Sequence, residues 1–293
     1  MKNLLLIITI ALLYSCKLAD VRPELVKGKL SDSDEEKGLS LLKQSIEAMG
    51  YNNFESISTV ETTMTFDWRF PWSSMPLHSF PGARNKPMRL LLEVGSFNGQ
   101  SRYLSGRKKD AVFGLQSWES YRQLPGKELE LKKDPRRSWG LATFHYILET
   151  PYRLLSADVI TYAGTKEFEG QQYDLVYVTW KDPKPHKAHD QWLIYINQDT
   201  KHVDLCHLTI RDFFMPFPPN MAMGTVRFLN REETEPGIKL PTEIVIQLLN
   251  PKKAKKHLYK LTFEDYRFDT RPPEDLKPFP ELKVYGDSKP DAK

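Results

Sequence analysis

The sequence predicts a mainly β (α+β) fold, in which a strongly curved, mostly antiparallel sheet has one helix before it and one in its middle. Much of the chain alternates apolar and polar residues with a period of two, which is typical of half-buried strands. Two stretches instead space their apolar residues by three and four, as amphipathic helices do. A four-residue turn at Asn197–Thr200 joins two of the strands, which makes that pair antiparallel.

The first element is an apolar run from Leu4 to Leu13, preceded by the basic residue Lys2. As a helix this run would be about 15 Å long, half the thickness of a bilayer core, which is too short to span a membrane. A positive start and a short apolar stretch are typical of a secretory signal peptide, which we assign to residues 1–15.

The run closes with Leu13-Tyr14-Ser15-Cys16, which resembles the lipobox of bacterial lipoproteins. This resemblance implies that Cys16 becomes the lipidated N-terminus and anchors the chain to a membrane of the bacterial cell envelope, for which we expect the outer membrane. The alternative is an ordinary signal peptide with a chance cysteine. Residues 16–30 are polar and contain Pro23 and Gly28, which predicts a tether between the lipid and a folded domain.

Residues 31–270 are predicted to form a single domain that opens with a helix. Ser31 to Asp34 offer helix-capping side chains, and Leu39, Leu42, Ile46 and Met49 follow at helical spacing before Gly50 ends the segment.

Period-two strands follow this helix, and a second helix interrupts them. In the predicted strand Tyr173–Trp180 both faces are apolar, so this strand is central or lines a cavity as well as a core. The second helix covers Trp139 to Leu148, and Pro151 stops it. The Pro-rich residues 271–293 are predicted to be a loosely attached tail.

Several segments together resemble the LolA/LolB-like periplasmic proteins. They are the Glu47-Ala48-Met49-Gly50 end of the first helix, Tyr146-Ile147-Leu148 with Pro151 to Leu155, Tyr162 to Lys166, Tyr195 to Thr200, and Phe263 to Arg267. The resemblance implies a half-barrel of antiparallel strands, with both helices packed on its concave face over an apolar cavity. It also implies a carrier or receiver of lipidated proteins or other hydrophobic molecules. It assigns no functional residue.

Two Pro-rich loops and the second helix supply candidate ligand-binding residues. Prolines keep the loops out of a sheet ladder, while aromatic and methionine side chains offer adaptable apolar surface. The predicted cavity rim consists of Trp72, Met75, Phe80, Phe144, Leu148, Phe214, Phe217 and Met221. The helix that carries Phe144 and Leu148 is the candidate lid. The alternative is that the loops fold back and plug the open end of the sheet.

Other functional classes find less support. Asp182, His186, His189 and Asp190 form a cluster of zinc-type ligands, but their lysine- and proline-rich loop favours surface histidines, and we predict no metal site. Cys206 is expected to be a free, buried strand thiol. With a formal charge of +4 and no binding motif, nucleic acid is not expected as a partner.

The sequence therefore predicts a lipid-anchored envelope protein that binds a hydrophobic ligand or a lipidated partner, without enzymatic activity or a cofactor. Two alternatives stay open. One is a plugged interaction module, and the other is a hydrolase acting on envelope glycans or lipids.

Overall fold

The computed structural model describes residues 18–28, 30–68, 79–211, 218–248 and 257–284. Thirteen strands form one sheet, in the order β6-β5-β4-β3-β2-β1-β13-β12-β11-β10-β9-β8-β7. The strands are β1 (Thr59–Trp68), β2 (Pro87–Glu93), β3 (Gly99–Tyr103), β4 (Val112–Gln116), β5 (Glu119–Gln123), β6 (Leu129–Leu131), β7 (Val159–Phe168), β8 (Gln171–Thr179), β9 (Gln191–Asn197), β10 (Val203–Thr209), β11 (Met223–Glu233), β12 (Lys239–Leu248) and β13 (Tyr259–Phe268).

Neighbouring strands pair antiparallel wherever their register is described, and β6 and β7 form the two ends of an open sheet. The helices are α1 (Glu24–Lys27), α2 (Asp32–Ala48) and α3 (Pro135–Glu149). The predicted class, a mainly β fold on an open antiparallel sheet with one helix before it and one in mid-chain, is thus confirmed. Within the described residues, no helix has the length and apolar character needed to cross a membrane.

The chain divides into two compact units, although the sequence predicts one domain over residues 31–270. The first unit contains Met1–Ala48, Leu154–Arg227 and Ile246–His257, and the second contains Met49–Arg153, Phe228–Val245 and Leu258–Lys293. Two of the boundaries between the units lie within strands β11 and β12, where the sequence has no linker-like composition.

In the first unit, α2 packs on β7, β8 and β9. The approach is close at Gly38, where a Cβ atom would lie 2.5 Å from the backbone of Thr161. Tyr177 and Val178 are both fully buried although they point to opposite faces of β8, as predicted for a strand that is apolar on both sides.

The N-terminal segment of this unit is packed rather than free. Val21 and Val26 are buried in one cluster with Tyr177, Tyr195 and Leu205. The described part of the predicted 16–30 tether is therefore part of the core, because its few apolar residues cover one face of β7–β10. Their spacing has neither a helix nor a strand period, so the sequence pattern does not reveal this role.

In the second unit, α3 packs on β3, β4 and β5. Asp134 caps this helix, since its carboxylate accepts a hydrogen bond of 3.3 Å from the Arg137 backbone N–H, and Pro135 occupies the first turn. Phe66, Phe80 and Phe144 are buried between helix and sheet, with ring centroids 5.6–5.8 Å apart.

The start of the predicted C-terminal tail is also packed. Leu276 is completely buried, and the Gln116 side chain donates to the Phe279 carbonyl at 2.7 Å and accepts from its N–H at 3.0 Å. Lys277 pairs with Glu93 at 2.6 Å. Residues 271–279 therefore belong to the folded second unit.

Candidate functional site

A cleft of about 500 Å³ lies on the second unit, over strands β1–β6. Gly99 faces α3, since a Cβ there would lie 3.3 Å from the His145 ring, so the next residue, Gln100, points to the opposite face. The cleft is on that opposite face. Its lining residues are Glu61, Arg89, Leu91, Gln100, Arg102, Leu104, Val112, Tyr121, Gln123, Leu129, Arg271, Asp275 and Pro278.

The strand register arranges much of this lining in two rows. The first runs across β2–β6 as Arg89, Arg102, Val112, Gln123 and Leu129, each directly opposite the next. The second row contains Glu61, Leu91, Gln100, Gly114 and Tyr121.

One side of the cleft is charged, and its cations are unequally paired. Arg89 contacts Asp265 at 3.0 Å and Glu61 at 3.4 Å. Arg102 is exposed and makes no ion pair or side-chain hydrogen bond with any described residue. Because like charges directly opposite each other on a sheet repel, Arg102 stands where a further anion would be stabilised.

The remainder of the lining is mixed, because apolar residues such as Leu91, Val112 and Tyr121 stand beside Gln100, Gln123, Arg271 and Asp275. Tyr121 is 3% exposed, and its ring lies across Gly114, where a Cβ would come within 1.9 Å of it. The Phe279 ring lies 5.9 Å from that of Tyr121 and tilts against it. Burial raises the pKa of Tyr121 although the nearby Arg271 acts in the opposite direction, so the Tyr121 hydroxyl stays neutral at physiological pH. Gly114 is needed here because any side chain would displace the ring.

The cleft suits binding better than acid–base chemistry. Its two lining carboxylates are already held by guanidinium groups, Glu61 by Arg89 and Asp275 by Arg271 at 2.7 Å. A hydrolase that uses carboxyl groups for acid–base catalysis needs one that can exchange a proton with its substrate. What the cleft offers instead is a cation beside apolar surface.

The described rim residues of the second unit do not line this cleft. Phe80, Phe144 and Leu148 are 1–3% exposed and belong to the core under α3. Met221 is 46% exposed and lies in the first unit. Trp72, Met75, Phe214, Phe217 and the predicted lipidation residue Cys16 lie outside the described residues. Sequence reasoning placed the apolar helix residues at a cavity because it could not tell a packed face from an open one.

A buried ionic cluster joins α3 to the β2–β3 turn. The Glu149 carboxylate lies 2.9 Å from His145 Nδ1 and accepts a hydrogen bond of 2.8 Å from Arg153, whose guanidinium also donates to the Ser96 carbonyl at 2.6 Å. Burial alone would raise the pKa of Glu149, but Arg153 and His145 together hold it below its ordinary value. The four-residue spacing of these three residues is the sequence signal that could have revealed the cluster.

This cluster also bears on the predicted lid. All three side chains are at most 4% exposed, so movement of α3 away from the sheet would expose paired charges and the aromatic core together. The geometry therefore favours a fixed helix over a moving one.

The zinc-type residues of the 182–190 loop do not converge. The rings of His186 and His189 stack 4.9 Å apart, while Asp182 accepts from the Lys184 N–H and Asp190 from the Arg211 N–H. In the described part of the chain, no group of three or more His, Cys, Asp or Glu residues is placed to hold a metal ion. Cys206 is fully buried and forms no disulfide bond with a described residue, as predicted.

Comparison with solved structures returns proteins of the kind that the sequence resembles. A protein described as an outer membrane lipoprotein-sorting domain, from Vibrio parahaemolyticus, is 12% identical, with 83% of this chain and 97% of that chain covered and a TM-score of 0.49. A LolA superfamily protein from Nitrosomonas europaea is 10% identical, with 82% and 96% covered and a TM-score of 0.49. Likeness at this level of identity concerns the fold alone. No protein-family model matches the sequence, and no curated protein matches it.

Proposed function

We propose that this chain is a bacterial envelope protein, exported by residues 1–15, anchored through a lipid on Cys16, and binding an anionic amphiphile in the cleft of its second unit. The observation that carries the binding proposal is Arg102, which lies opposite Arg89 in the cleft lining and makes no ion pair with any described residue. The ligand class is a fatty acid or another lipid with an acidic headgroup.

Binding would combine two physical effects. An acyl chain laid over Leu91, Val112 and Leu129 gains roughly 0.8 kcal/mol for each methylene removed from water. A carboxylate or phosphate near Arg102 gains charge-assisted hydrogen bonds and relieves the repulsion between the two arginines. Neither effect requires covalent chemistry or a cofactor.

The test compares an anionic with a neutral probe of the same chain length. Dodecanoate and dodecanol are titrated into the chain from Lys17 onward, and binding is followed by native mass spectrometry and calorimetry. Replacing Arg102 by Gln should weaken dodecanoate roughly 10- to 100-fold, the equivalent of about 1.5–3 kcal/mol for a hydrogen bond to a charged group. Dodecanol binding should not change.

Arg107 provides the matched control, because it is also exposed and makes no ion pair with a described residue, and it does not line the cleft. Arg107→Gln should leave both affinities as they are. Equal losses in the two variants would show a non-specific charge effect and refute the assignment of Arg102.

A second candidate function is an interaction module that binds no lipid. It is favoured by the buried packing of Phe80 and Phe144, which fill the space between α3 and the sheet where the sequence predicted a cavity. Protein that purifies without bound lipid and takes up neither probe would support this candidate instead.

A further inference from the structure

We infer that one end of the first unit's sheet, where β8 ends and β9 begins, rests on anionic lipid headgroups of the leaflet that holds the Cys16 lipid. This inference builds on the proposed anchoring and adds an orientation and a charged contact surface. The surface consists of the 181–189 loop and of Pro219–Met221, the short helical turn before β11.

The chain is fixed directly behind the proposed anchor. The Ala19 N–H donates to the Pro219 carbonyl at 2.9 Å, and the Arg211 guanidinium donates to the Ala19 carbonyl. Two residues further on, the Val21 N–H donates to the Gln191 side chain at 3.2 Å. Ala19 itself is 1% exposed, so this segment is built into the unit.

Only a short length of chain separates Cys16 from the folded unit. Cys16 precedes Leu18, the first described residue, by two positions. Because an extended chain spans at most about 3.6 Å per residue, two positions of chain can reach no further than about 7 Å. A lipid on Cys16 therefore brings the bilayer to the surface around Ala19, with no long tether that would let the unit turn away.

The loop between β8 and β9 lies at the same end of the sheet as the N-terminal segment. Thr179 at the end of β8 lies opposite Gln191 at the start of β9, and the Gln191 N–H donates to the Thr209 hydroxyl at the end of β10. Since Gln191 also holds Val21, the loop between Thr179 and Gln191 emerges at the same end of the sheet as the N-terminal segment.

The 181–189 loop carries positive charge on its surface. Lys181, Lys184 and Lys187 are exposed, and none has an ion pair with a described residue. The carboxylates of the loop offset only part of this charge: Asp182 is exposed and accepts from the Lys184 N–H at 2.7 Å, and the half-buried Asp190 accepts from the Arg211 N–H at 2.8 Å. The outer surface of the loop is thus cationic, which anionic headgroups attract and salt screens.

An apolar side chain adjoins the cations. Met221, at 46% exposure, lies two residues after Pro219, whose carbonyl accepts from the Ala19 N–H. Basic groups with an apolar neighbour suit the boundary between headgroups and acyl chains, where both kinds of side chain find a partner.

The test measures distance from the membrane in the lipidated full chain. Single cysteines are introduced by Ala188→Cys and, as the control, by Asp199→Cys, and each is labelled with an environment-sensitive dye. Both positions are exposed, whereas Cys206 is fully buried and will not react. Since β9 covers seven residues, the two loop tips lie roughly 20 Å or more apart.

The labelled proteins are reconstituted in vesicles of phosphatidylcholine and phosphatidylglycerol that contain a headgroup-quencher lipid. We expect several-fold stronger quenching at position 188 than at position 199. The difference should shrink in pure phosphatidylcholine and in a variant carrying Lys181→Gln, Lys184→Gln and Lys187→Gln. Equal quenching at both positions of a vesicle-bound protein would overturn the orientation, and quenching that ignores lipid charge and the lysines would overturn the headgroup contact.

Flotation of the vesicles separates this result from failure of the anchor. If the intact chain does not float, and Cys16→Ser behaves in the same way, the proposed lipidation is wrong and the orientation falls with it. If the intact chain floats and Cys16→Ser does not, the anchor stands and the quenching ratio alone decides.

Discussion

His207 makes the first unit sensitive to mild acid. This residue lies on β10 and is 6% exposed, and its Nδ1 is 3.0 Å from the Gly224 carbonyl and 3.2 Å from the Thr225 hydroxyl. Burial, together with the nearby Lys166, outweighs the hydrogen bond to Gly224 and lowers its pKa to about 4. The folded state therefore holds the imidazole neutral, with Nδ1–H donating to the Gly224 carbonyl.

The sign of the effect follows from this lowered pKa. The unfolded chain binds a proton at His207 below about pH 6.5, whereas the folded chain binds it only near pH 4. Stability from this group is thus fully present above pH 6.5 and is lost as the pH falls to about 4. With roughly 1.4 kcal/mol for each pKa unit, the loss is about 3 kcal/mol.

The assay is urea unfolding of wild type and His207→Asn between pH 7 and pH 4. An asparagine amide can donate from the position of Nδ1 but does not titrate, so its curve should lack this component. The wild type should lose about 3 kcal/mol more than the variant over this range, because carboxylates elsewhere titrate in both proteins. Parallel curves would refute the claim that His207 is held neutral by burial.

Two further predictions concern the second unit, and both are measured by urea unfolding at pH 7. Phe144→Ala should lower the free energy of unfolding by about 3–5 kcal/mol, because it leaves a cavity in the aromatic core; a loss below 1 kcal/mol would contradict the buried packing. Glu149→Ala should cost about 3–5 kcal/mol, because Arg153 then stays buried without its carboxylate. Glu130→Ala, which breaks the exposed pair with Arg122, is the control and should cost less than 1 kcal/mol.

The sequence revealed the elements whose residues repeat at a regular period. The first helix, predicted from Leu39 to Met49, is α2, the second is α3, and the hairpin around Asn197–Thr200 is β9–β10. Each is long enough for its apolar period to identify it, since the period of a helix differs from that of a strand.

The packed ends of the chain could not be predicted in this way. Val21 and Leu276 are single apolar residues between polar ones, and Val26 has only the exposed Leu25 beside it, so the sequence does not show that these three side chains are buried. The composition of these segments is that of linkers, so burial of a few side chains overrode the expectation from composition.

The cleft escaped prediction because it depends on strand register. Arg89 and Arg102 are thirteen positions apart, and only the pairing of β2 with β3 places them opposite each other. A shift of one residue would turn one of the two side chains to the α3 face. Sequence periodicity indicates which residues share a face of one strand, but it does not fix which residue of the next strand stands opposite.

Because Arg102 lies opposite Arg89, its charge should lower the folding stability of the free protein while it strengthens the binding of anionic ligands. Two cations opposite each other on a sheet destabilise the fold, and among the described residues Arg89 has carboxylates that offset the repulsion whereas Arg102 has none. Arg102→Gln should therefore stabilise the unliganded chain by a few tenths of a kcal/mol to about 1 kcal/mol, measured by urea unfolding in low salt, while it weakens anionic ligands. The gain should fade in high salt, because the repulsion is screened. A variant less stable than wild type would mean that the Arg102 stem packs against the sheet and that its charge is not held there at a cost to the fold.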